Sequence, residues 1–97
     1  MPRRAPKKDD NHHQIVAVFE RLGAHTEDVS MVEEFCDIIV TRAAKVAMVE
    51  IKDGAKTPSR RKLTPGEVKF KDRWVAAGGT WVLIETIDDV IKFLREW

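Results

Sequence analysis

The sequence is poor in cysteine and has no long apolar run. Cys36 is its only cysteine, so no disulfide can form within the chain, which fits a reducing compartment. No stretch approaches the roughly 18 consecutive apolar residues of a membrane-spanning helix. The basic N-terminus lacks the apolar segment of a secretory signal peptide. These absences predict a cytoplasmic protein without a membrane segment.

The chain also carries little net charge. Its formal charge is +1, which argues against a coat protein that binds nucleic acid by electrostatics alone. The charge is nevertheless unevenly placed. The first eight residues contain four basic and no acidic residues, and residues 52–73 contain eight basic and three acidic ones. Such a local excess suits a polyanionic partner.

With 97 residues, the chain has the length of one domain. A domain of this size buries only about 60–65% of its unfolded surface, so association of subunits would help to stabilise it. Residues 1–10 are basic, contain proline and lack periodicity, and we expect a flexible arm that either contacts DNA or has no role. Residues 11–97 form the single predicted domain.

Four short strands are predicted, over residues 26–29, 36–41, 45–52 and 80–85. The sequence signals for the strand at residues 26–29 are weak, whereas the other three segments are rich in Val and Ile. Residues 41–44 are short enough to join the second and third strands as a hairpin, although the strongest turn signals, Asn-Gly and Asp-Gly, are missing. Residues 53–64 form a basic loop.

Three helices are predicted, over residues 11–22, from Thr64 to Ala77 and from Thr86 onwards. Asp10 or Asn11 can cap the first, and Thr64 with Glu67 forms a capping box for the second. The predicted apolar faces are Ile15, Val18, Phe19 and Leu22; Phe70, Trp74 and Ala77; and Ile87, Ile91 and Leu94. The order α-β-β-β-α-β-α predicts an α/β (α+β) domain with a small mixed sheet flanked by helices.

One group of polar residues is placed for chemistry by strand alternation. Side chains alternate between the faces of a strand, so Glu50 and Lys52 emerge on the same side at its end. In an antiparallel hairpin, the start of one strand lies beside the end of the other. Asp37 should therefore lie opposite residues near 49–52, and two carboxylates and an ammonium group should meet.

Two carboxylates suit a hard divalent cation. Mg²⁺ commonly takes one or two carboxylates, retains waters and uses substrate phosphate, and the carbonyl of Ile51 could add a ligand beside Asp37 and Glu50. Lys52 would position the attacking water, stabilise charge on the phosphate or act as a base, and spacing does not choose among these. Spacing is equally compatible with a plain surface ion pair between Glu50 and Lys52, worth under about 1 kcal/mol.

The segments Cys36-Asp37-Ile-Ile-Val and Val49-Glu50-Ile-Lys-Asp-Gly resemble the D…E-x-K signature of the PD-(D/E)xK nuclease superfamily. The following Pro-Ser-Arg-Arg-Lys-Leu-Thr-Pro-Gly-Glu, residues 58–67, makes the chain similar to the small stand-alone VRR-NUC nucleases of phages and prophages, relatives of Holliday-junction resolvases. The resemblance runs from about Asn11 to Leu94.

This resemblance implies a restriction-endonuclease-like core and a divalent-metal-dependent DNA endonuclease, selective for branched or double-stranded DNA and acting as a homodimer. Asp37 and Glu50 would bind Mg²⁺, for which Mn²⁺ could substitute, and Lys52 would be the catalytic lysine. A phage-encoded protein would act in the cytoplasm of its bacterial host.

The chain departs from the family pattern in the first helical turn. The family often has an acidic residue there, whereas this chain has Asn11, His12, His13 and Gln14. Gln14 or a histidine could substitute for the missing acid, but an adjacent histidine pair in a first turn is more often exposed to solvent. Glu67 often faces the site in the family, so it is an accessory catalytic candidate, although the capping box explains it equally well.

The basic loop and the following helix supply the predicted DNA contacts, namely Lys56, Arg60, Arg61, Lys62 and Lys69. Such side chains would contact phosphates, which position DNA without specifying its sequence. The tryptophans are expected in core or dimer contacts rather than stacked on bases, and Cys36 is expected to be buried and not nucleophilic.

Two functional hypotheses follow. The first is a metal-dependent DNA endonuclease. The second is a DNA-binding module of the same fold that is catalytically impaired through its altered first helix. A protein-interaction domain with a basic loop has no specific support.

Overall fold

The computed structural model describes residues 8–97, and its elements follow the predicted order. The helices are α1 (His12–Arg21), a short 3-10 helix (Pro58–Arg61), α2 (Pro65–Ala76) and α3 (Ile87–Glu96). The strands are β1 (His25–Asp28), β2 (Ile38–Arg42), β3 (Lys45–Ile51) and β4 (Thr80–Ile84). Residues 1–7 of the predicted arm lie outside the described residues, while Lys8 already contacts the body of the domain through Asp28.

The strands form one mixed sheet in the order β1-β2-β3-β4. β1 pairs with β2 and β2 with β3 in antiparallel fashion, whereas β3 and β4 are parallel. The β2–β3 register pairs Ile38 with Val49. Asp37, the residue before β2, is therefore level with Glu50, and the predicted hairpin is confirmed.

The hairpin turn is built from alanine. Ala43 and Ala44 have φ angles of 53° and 64°, the left-handed backbone that a two-residue hairpin turn of type I′ requires at both central positions. The strand pairing imposes this conformation on residues that do not favour it. The turn is therefore present without the Asn-Gly or Asp-Gly pair that usually marks it in a sequence.

Helices cover both faces of the sheet. α1 and α3 pack on one face, and α2 on the other. Trp74 of α2 and Trp81 of β4 pack against the cluster of Cys36, Met48 and Phe70. Trp97 stacks on Phe93 of α3, so all three tryptophans contact the core as predicted. The larger core consists of Ile15, Phe19, Ala24, Ile38, Val40, Ala47, Val49, Ile51, Ile84, Val90 and Leu94.

Some predicted apolar faces are wrong by one position. Ile87 and Ile91 are 42% and 39% exposed, and α3 instead buries Val90 together with Leu94. Apolar residues stand at both positions 90 and 91 of α3, so helical spacing alone allows either Val90 or Ile91 to face the core. The packing of α3 on the sheet buries Val90. Leu22 is likewise 43% exposed, because α1 ends at Arg21 and the chain turns away at Gly23. Ala77, after α2, is also exposed.

The capping predictions hold for two of the three helices. Thr64 and Glu67 form the expected capping box of α2. Thr86 caps α3, with Asp89 closing a second box. At α1, by contrast, Asn11 occupies the N-cap position without a side-chain capping bond.

The two edges of the sheet differ in character. β1 has the sequence His-Thr-Glu-Asp and lies along one edge, whereas β4 has the sequence Thr-Trp-Val-Leu-Ile and lies along the other. Within residues 8–97, neither strand pairs along its outer side. None of the helices in this range is long and apolar enough to cross a membrane.

Candidate active site

The end of β3 brings the predicted site residues together. Ile51 donates its N–H to Asp37 Oδ2 at 2.7 Å, which fixes that carboxylate beside β3. The side chain of Glu50 is almost fully buried, with 3% of the residue exposed. Its carboxyl group lies close enough to those of Asp37 and Glu67 for each to act on its pKa. Three acidic side chains therefore meet on the face of the sheet that α2 covers.

Lys52 joins this group through Glu67. Its Nζ donates to the two carboxylate oxygens of Glu67 at 3.0 and 3.2 Å and lies 3.6 Å from Oε1 of Glu50. The same Glu67 Oε1 accepts the N–H of Thr64 at 2.7 Å. The capping box and the lysine contact thus share one carboxylate, and the start of α2 holds the lysine in place.

The close approach of these charged side chains shifts their pKa values. Burial, a hydrogen bond to Glu67 and the nearby acidic charges raise the pKa of Glu50 to about 10. Burial also raises the pKa of Asp37, against the opposing hydrogen bond from Ile51. For Lys52, burial acts to lower the pKa, but Glu67 outweighs it and the pKa is raised. Without a bound cation, these shifts favour an ammonium group on Lys52 and a protonated Glu50 at neutral pH.

An open cleft of about 330 Å³ gives access to these side chains. Asp37, Glu50 and Glu67 line its floor together with Thr64. The connection between β1 and β2 supplies the remaining wall, which includes Ser30, Val32, Glu33, Glu34, Phe35 and Cys36. Gly66 allows this wall to approach, because a Cβ there would lie 2.6 Å from Cγ of Glu34.

The oxygen ligands available here fit a hard divalent cation that takes only a few of its ligands from the protein. The carboxylates of Asp37 and Glu50 are oxygen ligands, and the Ile51 carbonyl is adjacent in sequence. Glu67 is committed to Lys52 and Thr64. Over the described range, no group of three or more His, Cys, Asp and Glu side chains is arranged to hold a metal ion. Water and substrate phosphate would complete the coordination, as Mg²⁺ commonly allows.

Asn11 has a role that sequence reasoning missed. Its Nδ2 donates to the carbonyls of Lys52 and Glu85, at 3.1 and 3.0 Å, and so joins the ends of the parallel strands β3 and β4. Its Oδ1 is buried without a hydrogen-bond partner among the described residues. The residue type gave no signal for this contact, because Asn before a helix ordinarily indicates a cap.

His12 is buried, contrary to the expectation of an exposed histidine pair. Only 3% of it is exposed, and its Nε2 lies 3.6 Å from Oδ2 of Asp28. Burial lowers the pKa of His12 against the opposing charge of Asp28, so the imidazole is neutral. His13 is exposed as expected. Gln14 is also exposed and lines another cleft, away from the carboxylate cluster.

The five residues that are predicted to contact DNA differ in their surroundings. Arg61 is engaged within the fold, because its Nε donates to the Lys56 carbonyl at 2.9 Å and its Nη1 to Oε2 of Glu85 at 3.0 Å. Lys56 and Arg60 line a common cleft. Lys62 and Lys69 are exposed, the latter on α2.

Cys36 is buried, as predicted, although it precedes β2 rather than lying within it. It is 4% exposed and packs beside Met48 and Phe70. Burial, together with the charge of Glu50, raises the pKa of its thiol to about 12. A thiol in this state is a poor nucleophile.

Comparison with known proteins identifies the fold. No protein-family model matches the sequence, and no curated protein matches it significantly. A solved structure described as a VRR_NUC domain superposes with a TM-score of 0.67 at 18% sequence identity, covering 89% of this chain and 91% of that one. The chain therefore has the fold of a VRR_NUC domain, and the resemblance noted in its sequence extends to its three-dimensional structure.

Proposed function

We propose that the protein is a divalent-metal-dependent DNA endonuclease that hydrolyses phosphodiester bonds. The observation that carries this proposal is the cluster of Asp37, Glu50, Glu67 and Lys52 at the end of β3, in an open cleft of a VRR_NUC fold. An acidic cluster of this kind is unfavourable beside DNA phosphate unless a cation neutralises it, so pure DNA binding does not account for it.

Mg²⁺, or Mn²⁺ in its place, would be held by Asp37, Glu50 and the Ile51 carbonyl. When bound, it supplies a Lewis acid for the scissile phosphate and lowers the pKa of a water molecule. Asp37 is kept in position by its hydrogen bond from the Ile51 N–H. Lys52, held by Glu67, presents an ammonium group that stabilises negative charge on the phosphate. Glu67 acts as the positioning residue for Lys52.

Branched DNA, including four-way junctions, is the substrate class that we propose, and the active form is proposed to be a homodimer. A dimer would present two clefts to two strands. The outer side of β4 supports such an association, because it is an apolar strand at an open edge within the described part of the chain. The measured mass in solution tests the dimer.

A cleavage assay tests the proposed activity. Labelled four-way junction, flap and linear duplex are incubated with Mg²⁺, Mn²⁺ or EDTA. We expect metal-dependent cleavage by the wild type and its loss in Asp37→Asn and Glu50→Gln, with DNA binding retained. The exposed Glu96→Gln is the matched control and should cleave normally. Absence of cleavage on every substrate would refute the endonuclease, and active Asp37→Asn and Glu50→Gln variants would refute the site.

The second candidate is a DNA-binding module without cleavage. The observation in its favour is the first turn of α1, which contains no acidic residue. His12 stands there instead, 3.6 Å from Asp28 and in electrostatic contact with Asp37. The same assay separates the candidates, since the binding module retains DNA without cutting it in any metal.

A further inference from the structure

A second cleft, which we call the basic cleft, lies close to the candidate active site. It has a volume of about 240 Å³ and is lined by Lys8, Asp9, Lys56 and Arg60. Three of these four side chains are cationic, so the basic cleft carries excess positive charge. The active-site cleft has the opposite character, because acidic residues predominate among those that line it.

The loop that forms one wall of the basic cleft is anchored without a ligand. Arg61 fixes it by donating to the Lys56 carbonyl and to the Glu85 carboxylate. Gly54 adds a bond from its N–H to the Glu85 carbonyl at 3.0 Å. The backbone at Lys56 and Arg60 is therefore held at the cleft by the fold, and a bound anion would have to order only their side chains.

The cations of the basic cleft are incompletely neutralised. Lys56 Nζ lies 3.4 Å from Asp10, but the Asp10 side chain is 74% exposed, so solvent weakens this pair. Lys8 contacts Asp28 at 2.6 Å. The guanidinium of Arg60 has no carboxylate partner among residues 8–97. An anion entering the cleft thus meets at least one unpaired cation.

Both walls of the basic cleft are joined to the strand end that carries Lys52. On one side, Lys8 and Asp9 lead directly to Asn11, which hydrogen-bonds to the Lys52 carbonyl at 3.1 Å. On the other, Lys56 follows Lys52 by four residues. The basic cleft is consequently held at a fixed position relative to the proposed catalytic lysine.

We propose that the basic cleft is a phosphate subsite, which binds one backbone phosphate of the DNA next to the phosphate that is cut. This inference rests on the proposed function. The guanidinium of Arg60 offers paired donors that match two phosphate oxygens, and the lysines add point charges. Phosphate as such is the recognised group, so a terminal 5′-phosphate and inorganic phosphate share this chemistry and are separated by experiment.

The salt dependence of DNA binding in EDTA tests the subsite independently of cleavage. Each phosphate contact contributes about 0.9 to the slope of log affinity against log salt. We expect the double variant Arg60→Gln/Lys56→Gln to lower the slope by about 0.9, because one phosphate contact is lost, and each single variant to lower it by no more than this. Lys45→Gln removes the same charge at the opposite end of β3, about 20 Å away, and should leave the slope unchanged. Thermal melts verify that each variant is folded.

An unchanged slope in the double variant would overturn the subsite. A fall of about 1.8 in the double variant would also overturn it, because two separate phosphates would then be bound. If the wild type binds DNA with the expected slopes but cuts no substrate, the nuclease proposal fails, and the basic cleft stands only as a site for a backbone phosphate. If it cuts while the variants bind like wild type, the subsite alone fails.

Neutral methylphosphonate substitutions in the duplex locate the phosphate. We expect one internal position at which the substitution weakens wild-type binding but not the binding of the double variant Arg60→Gln/Lys56→Gln. Duplexes with and without a 5′-phosphate should bind equally well. A preference for the 5′-phosphorylated duplex, or displacement of DNA by millimolar inorganic phosphate, would show that a terminal or free phosphate occupies the cleft and would overturn the backbone assignment.

Discussion

Replacing Glu50 with glutamine should stabilise the metal-free protein while abolishing cleavage. The buried carboxyl is held in its protonated form beside Asp37 and Glu67, and its pKa is about 10 against an ordinary value of 4.5. Keeping a proton at pH 7 on a group with an ordinary pKa of 4.5 costs about 3 kcal/mol, at about 1.4 kcal/mol per pH unit. Glutamine has nearly the same shape and avoids this cost.

The sign of the pH dependence follows from the direction of the shift. Because the folded-state pKa is raised, the folded protein binds more protons than the unfolded chain between about pH 4.5 and 10. The contribution of Glu50 to stability is therefore complete below pH 4.5 and is lost as the pH rises. The advantage of Glu50→Gln should be near zero at pH 4.5 and grow to about 3 kcal/mol at pH 7, or roughly 12–24 °C in Tm for a domain of this size.

Urea unfolding and thermal melts in EDTA from pH 5 to pH 8 measure this difference. The exposed Glu96→Gln is the matched control and should follow the wild type at every pH. Added Mg²⁺ should stabilise the wild type and leave Glu50→Gln unaffected, since ligand binding to the folded state raises stability by mass action. A variant that is less stable than wild type, or a difference that is constant from pH 5 to pH 8, would refute the reasoning.

Three further predictions concern the framework around the site. Asn11→Ala leaves two strand-end carbonyls without their donor and should cost about 1–3 kcal/mol in urea unfolding; wild-type stability would mean that the bridge contributes nothing. Replacing Ala43-Ala44 with Asn-Gly should raise stability by about 1–2 kcal/mol, because both alanines have left-handed φ angles; a lower Tm would contradict the described turn. Gly79→Ala places a methyl group on the Trp74 indole and should cost about 1–3 kcal/mol, with a changed near-ultraviolet circular dichroism spectrum; an unaltered spectrum would count against this contact.

Strand alternation and hairpin register were sufficient to place the central residues of the site. Glu50 and Lys52 lie two apart on one strand, and Asp37 starts the neighbouring one, so short-range geometry defines their meeting. The capping box at Thr64 and Glu67 was also readable, because its residue types and spacing are local. What the sequence could not indicate was that Glu67 serves both the helix and Lys52.

The failures involve contacts between residues far apart in the chain. The burial of His12 depends on Asp28 in β1, and the bridge made by Asn11 depends on the ends of β3 and β4. In α3, the choice between Ile91 and Val90 as the buried residue depends on how the helix sits on the sheet. Residue type and periodicity do not carry this information, since each depends on tertiary packing.

The unequal edges of the sheet limit how far the protein can assemble. Pairing of β4 with β4 of a second copy about a two-fold axis would use the apolar edge of both molecules at once. The edges left outside would then be two copies of β1, whose His-Thr-Glu-Asp sequence presents charge where another strand would have to add. Growth through the sheet would therefore end at two molecules, because the charged β1 edges of such a dimer disfavour the addition of another strand.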